Sequence, residues 1–82
     1  MSGRDEGGGE RAIRIGRLPV TLSAFLKLAG AVRSGGEAKE LIAAGAVRVN
    51  GVVERRRARA LVDGDAVVLG TLRLRVRAAS DA

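Results

Sequence analysis

The chain has no cysteine, no histidine, no tryptophan and no tyrosine, and only one phenylalanine and one proline among its 82 residues. Each absence removes a class of function. Without cysteine, neither a disulfide framework nor a thiolate metal site can reinforce the fold. Without histidine, the usual general base and the commonest neutral metal ligand are both missing. Catalysis would have to rest on Asp, Glu or Lys, so no enzyme, metal, cofactor or small-molecule substrate is expected. Without Trp and Tyr, no platform of aromatic rings can stack single-stranded bases. The first ten residues, MSGRDEGGGE, hold no apolar stretch of secretory type, and no apolar run approaches the roughly 20 residues of a membrane span. A cytoplasmic protein is the expectation. Membrane-surface binding is not expected, because neither predicted helix sets a broad basic face against a long apolar one.

Positive charge, by contrast, is plentiful. Thirteen arginines and two lysines against nine acidic residues leave a net charge of +6 and a pI near 11.5. An excess of this size attracts polyanions, and nucleic acid is the foremost of them. Arginine suits phosphate because its planar fork donates two parallel hydrogen bonds, although the preference for Arg over Lys also fits a GC-rich coding sequence. The length fits one domain with a small core, since a chain of this size buries only about 60% of its unfolded surface.

Residues 1–11 are rich in glycine and charge and read as a flexible tail, residues 12–77 as the domain, and residues 78–82 as a second short tail. From Arg11 to Arg17, Ile13 and Ile15 alternate with Arg14, the pattern of a short strand or extended lead-in. Thr21 then offers an N-cap for a helix with Leu22, Phe25, Leu26 and Ala29 on one face, and Gly30 is placed to stop it. Phe25 belongs to this buried stripe. A second helix is signalled by the capping box Ser34–Glu37, a stripe of Ala38, Leu41 and Ile42, and Gly45 at its end. The period then changes to two: Val47 and Val49 flank Arg48, Asn50-Gly51 marks a two-residue hairpin, and Val52-Val53 begins the return. Glu54 to Ala60 reads as a basic connection. Turns at Asp63–Asp65 and Gly70-Thr71 bound two more strands, the last alternating Leu72, Leu74 and Val76 with Arg73, Arg75 and Arg77. The expected fold class is α+β, two short helices packed on one face of a small, mostly antiparallel sheet.

Lys27 and Lys39 lie off the buried helical stripes, Arg48 points away from Val47 and Val49, and Arg55, Arg56 and Arg57 follow the hairpin. On one surface these cations would form a basic strip matched to a nucleic-acid backbone. Three consecutive arginines repel one another without an anion nearby, so this run points to a partner more than Arg33, Arg59, Arg73, Arg75 or Arg77 do, each of which reads as a solvated charge. Ser34, Gly35 and Gly36 at a helix start form a candidate phosphate site on exposed N–H groups, in competition with Glu37 of the capping box. Asn50 and Gly51 serve the turn first, and a tip of this kind also reaches a sugar or phosphate. Lack of stacking rings favours folded or duplex RNA, recognised by shape, phosphate and 2′-hydroxyl contacts.

The segment LSAFLKLAGAVRSGGEAKELIAAGAVRVNG, Leu22 to Gly51, resembles the S4 RNA-binding domain family, and in particular its small stand-alone bacterial members. The features shared are Phe25 to Gly30, Gly35 to Lys39, Val49 to Gly51, Glu54 to Arg57 and Gly64-Asp65, so the resemblance runs over about Ile13 to Val76. It implies an S4-like (αL-type) fold with structured RNA bound across the helices and hairpin. Carried over by position, the implied RNA surface holds Lys27, Ser34, Lys39, Arg48, Asn50, Arg56 and Arg57. The chain departs from the family pattern at Gly35, where a basic residue is common, and at Ala43, Ala44, Ala46, Ala58 and Ala60; Arg55 and Arg59 add charge beside these positions. The expectation is therefore a non-catalytic, monomeric RNA-binding module, ribosome-associated and binding rRNA or a tRNA-like fold. Its alternatives are a protein-interaction adaptor and the RNA-binding subunit of a separate RNA-modifying enzyme.

Overall fold

Alternating apolar residues become the inner face of a sheet, and two helical stripes close over it. The computed structural model describes residues 9–79. The chain runs through β1 (Glu10–Ile15), β2 (Val20–Thr21), α1 (Leu22–Leu28), α2 (Gly35–Ala43), β3 (Val47–Val49), β4 (Val52–Val53), β5 (Ala60–Leu61), β6 (Ala66–Leu69) and β7 (Leu72–Ala78). Five strands form one sheet in the order β1-β7-β6-β3-β4, and β2 pairs with β5 in a second, two-stranded one. Of the flexible tails expected at residues 1–11 and 78–82, residues 1–8 and 80–82 lie outside the described residues, and Ala78 is already in β7, paired with Ile15. Glu10 and Arg11, which composition assigns to the tail, are already in β1, where they pair with Arg73 and Leu74.

Side chains alternate across a strand, so every second residue of the sheet can enter one core. Ile15, Val47, Val49, Val67, Leu74 and Val76 do so and are buried. Leu22, Phe25, Leu26 and Ala29 from α1 and Ala38 and Ile42 from α2 meet them, with Leu61 of β5 and Val32 completing the cluster. Helices of seven and nine residues are too short to persist alone in water, so this burial holds them in place.

Both helices stop by the same device. Gly30 donates to the Lys27 carbonyl and Ala31 to that of Leu26; Gly45 donates to Ile42 and Ala46 to Leu41, all at 3.0 Å. This is the Schellman pattern, and the two glycines adopt the positive φ it needs, +75° and +80°. The Asn50-Gly51 hairpin also matches expectation: both residues have positive φ, 53° and 86°, as a type I′ turn requires.

The sheet is mostly antiparallel, as expected, and two pairings add to the sequence reading. The sheet is mixed, because the edge strand β1 joins β7 in parallel while β7–β6, β6–β3 and β3–β4 are antiparallel. The connection after the hairpin also contains a strand, β5, whose partner β2 lies just before α1. Neither pairing is visible locally, since each joins segments far apart in the chain.

Candidate nucleic-acid interface

The N-terminus of α2 is formed by Ser34 in an extended conformation, its Oγ accepting from Glu37 N at 3.1 Å. The box closes one residue earlier than its usual form: Glu37 Oε1 accepts from Arg33 N at 2.7 Å, so the carboxylate is drawn back toward the preceding loop. Gly35 and Gly36 occupy the first turn, where the helix itself supplies no acceptor for their N–H groups. Both are exposed, with no side chain to block an approaching phosphate. Lys39 is exposed four residues after Gly35 and therefore shares its face of the helix. Ser34, Gly35, Gly36 and Lys39 thus form one group at the positive end of the α2 dipole.

The N-terminus of α1 is the opposite case. Leu22 N donates to the Arg59 carbonyl at 2.8 Å, Ser23 N to the Arg57 carbonyl at 3.1 Å and Ala24 N to Thr21 Oγ1 at 3.1 Å. All three first-turn donors are used internally, and two of them grip the arginine-rich connection. Lys27 is exposed in the last turn of α1, where its charge complements the negative end of the helix.

That connection is organised by a residue the sequence reading passed over. Glu54 is buried, 8% exposed, and its backbone N–H donates to the Val47 carbonyl at 3.0 Å. Its Oε2 accepts from Arg56 N at 3.1 Å and Arg56 Nε at 3.0 Å, and its Oε1 from Arg59 Nη1 at 2.9 Å. Hydrogen bonds from Arg56 and then Arg59 hold its carboxyl well below the usual carboxylate range, at about 2. Arg59 is consequently an internal partner and not the solvated charge expected. The signal was present as the only acid in a run of four arginines, two and five residues before its partners.

The three consecutive arginines diverge. Arg55 is laid over the end of α2, so close that a Cβ on Gly45 would fall 2.7 Å from its Nη2. α2 has no basic residue in its own last turn, and Arg55 brings a cation to that end from outside the helix. Arg56 folds back on Glu54 but keeps an exposed side chain. Arg57 is exposed and makes no ion pair with a described carboxylate. Since α2 has nine residues, Arg55 and Ser34 lie at opposite ends of a helix about 13 Å long.

Arg48 stands elsewhere. Its neighbours Val47 and Val49 are buried under the helices, so it projects from the opposite face of the sheet, with Nη1 3.5 Å from the Gly51 carbonyl. Asn50 is largely committed to the fold: its backbone N–H donates to the Ala66 carbonyl at 2.7 Å, its Oδ1 accepts from Ala66 N at 2.9 Å, and its Nδ2 donates to Asp65 Oδ1 at 3.1 Å. The fold therefore groups the helix-start residues with Lys39, ties Arg56 to Glu54 and Arg55 to the end of α2, leaves Arg57 exposed after them, and sets Arg48 apart.

A two-helix layer whose second helix start is open, followed by a VNG hairpin and a Glu-anchored arginine run, is matched over residues 13–77 by the family model of the S4 domain. The chain belongs to the S4 domain family. Among solved structures, this S4 domain is similar to YbcJ from E. coli, whose solution structure reveals an ALFAL motif involved in RNA-binding. The two are 35% identical, with a TM-score of 0.66 over 94% of this chain and 96% of that one. No curated protein matches the chain. Among the described residues, no helix of this S4 domain is long and apolar enough to cross a membrane.

Proposed function

We propose that this S4 domain is a non-catalytic module that binds structured RNA, ribosomal or tRNA-like, on its helix side. The open start of α2 and Lys39 receive one phosphate region, and Lys27, Arg55, Arg56 and Arg57 receive the flanking backbone, with Asn50 at the hairpin edge. The observation that carries the choice of structured over single-stranded RNA is the fate of the one aromatic residue. Phe25 is wholly buried in the core, and the chain has no Tyr or Trp to stack an unpaired base. Affinity then comes from phosphate and sugar contacts presented by a folded RNA surface. Family membership and the RNA-binding neighbour support the same reading.

The test is fluorescence anisotropy of a labelled stem-loop and of an unstructured strand of equal length across a salt series. Stem-loop binding is expected to be tighter and to fall with salt at a log–log slope of about 0.7 to 0.9 per phosphate contact. K39Q/R57Q lowers the affinity and flattens the slope. Equal binding of both RNAs, or none at low salt, refutes the reading.

A further inference from the structure

The outward face of the five-stranded sheet is a second cationic surface, separated from the helix side by the core. Paired residues in neighbouring strands point to the same side. Arg14 of β1 lies opposite Arg77 of β7. Arg75 lies between Ala12 and Ala66, and a third row runs from Glu10 through Arg73, Val68 and Arg48 to Val53. Five arginines thus share one face, and alternate residues along β7 set three of them about 7 Å apart.

Among the described residues, two carboxylates answer these five cations. Glu10 binds Arg75 through Nε at 2.7 Å and Nη2 at 3.0 Å, and Arg75 Nη1 donates to the Gly64 carbonyl at 2.9 Å, so all three guanidinium nitrogens of Arg75 have a partner within the fold. Asp63 approaches Arg77 Nη1 only to 3.8 Å, with both side chains at least half exposed. Counting the described residues alone, the face carries an excess of three positive charges. The Glu10 carboxyl is held below its usual range, first by its hydrogen bond to Arg75 and also by the fields of Arg77 and Arg73, which places these charges within reach of one another. Arg14 and Arg77, directly opposite, form a like-charge pair that destabilises the edge of the sheet unless an anion lies between them.

We infer that this sheet face binds the phosphate backbone of a second RNA segment, so that the domain holds two RNA elements on opposite sides. The inference rests on the helix-side reading for the first element. Phosphate fits the face chemically because guanidiniums on rigid strands can present paired donors to it. A bilayer or an apolar protein surface fits poorly. The residues between the arginines are Ala12, Ala66, Val68 and Val53, and the large exposed apolar side chains Leu28, Val52 and Val62 all lie outside these rows. Arg48, separate from the helix-side cations, finds its place here in one row with Arg73.

The test immobilises a short biotinylated stem-loop RNA, adds the full chain, and measures retention of a fluorescent copy of the same stem-loop. The wild type is expected to retain it, with sedimentation giving one chain per two RNAs. R14Q/R73Q/R77Q is expected to bind the immobilised RNA within about two-fold of wild type but to retain the second RNA at least ten-fold less, while R14K/R73K/R77K retains it. Circular dichroism of each variant confirms the fold. Wild-type binding of the first RNA without the second, or bridging that survives in R14Q/R73Q/R77Q, overturns the inference alone. Loss of all RNA binding in R14Q/R73Q/R77Q, with K39Q/R57Q unaffected, overturns the helix-side reading and the two-face inference together. Attachment to phosphatidylglycerol vesicles through the same arginines, without a second RNA, assigns the face to a membrane and also overturns it.

Discussion

Gly30 and Gly45 make a controlled experiment available within one molecule. Both stand just past a helix end, both close a Schellman motif, and their φ values are +75° and +80°. They differ in what a methyl group would meet: open space at Gly30, but Arg55 Nη2 at 2.7 Å and Cζ at 3.2 Å at Gly45. An alanine in the left-handed region costs about 1–2 kcal/mol. Its smaller unfolded-state entropy returns about 0.4–1 kcal/mol. Gly30→Ala should therefore destabilise by about 1 kcal/mol, which lowers Tm by about 4–8 °C in a domain of this size. Gly45→Ala carries the same cost and also displaces the guanidinium of Arg55 from the α2 C-terminus, where such a cation contributes about 0.3–1 kcal/mol. The clash itself adds little, because Arg55 is an exposed, flexible side chain that can swing away. Urea unfolding followed by far-UV circular dichroism is the suitable assay, since the chain has no Trp or Tyr for fluorescence. In an Arg55→Ala background the excess of Gly45→Ala over Gly30→Ala should vanish. An excess of equal size in that background, or no excess in the wild type, refutes the account. If Arg55 contacts RNA, Gly45→Ala also weakens stem-loop binding about as much as Arg55→Ala does.

Acid should expose the role of Glu54. Its folded-state pKa is lowered from 4.5 to about 2, so its contribution is complete above about pH 4.5 and is lost as pH falls toward 2. Acid titration of stability should show a shallower fall in this window for Glu54→Gln than for wild type, and identical slopes would refute the assignment. Asn50→Ala loses the bonds to Asp65 and Ala66 and places alanine at φ 53°, a combined cost of about 2 kcal/mol, while Asn50→Gly, relieved of the backbone term, costs less by thermal melt. Phe25→Ala empties the centre of the core at about 3–5 kcal/mol, a large share of what a domain this small holds; an ordinary cooperative melt near the wild-type Tm would contradict its burial.

Short-range chemistry by itself determined where the helices and turns begin and end. Thr21 and Ser34 cap as their side chains dictate, Gly30 and Gly45 stop the helices, and Asn50-Gly51 makes the hairpin, because each depends on hydrogen bonds and dihedral angles within a few residues. The stripe of Leu22, Phe25 and Leu26 and the alternation about Val47, Val49, Leu74 and Val76 likewise named most of the core in advance. The family was legible as well, from the order of its motifs between Phe25 and Asp65.

Only the tertiary structure decided where each cation went. β1 pairs with β7 across nearly the whole chain, and that parallel contact puts Arg14 beside Arg77 and Glu10 on Arg75. β5 reaches β2, which delivers the carbonyls of Arg57 and Arg59 to the start of α1. Glu54, a single acid in a basic run, became the buried anchor of Arg56 and Arg59, and Arg55 was turned onto the end of α2. A charge in sequence has a sign but no direction. Its partner is selected by which charged side-chain atoms the packed backbone brings within about 4 Å, the range over which an ion pair forms. That selection divided one list of arginines into structural ties, a helix-side set and a sheet-face set.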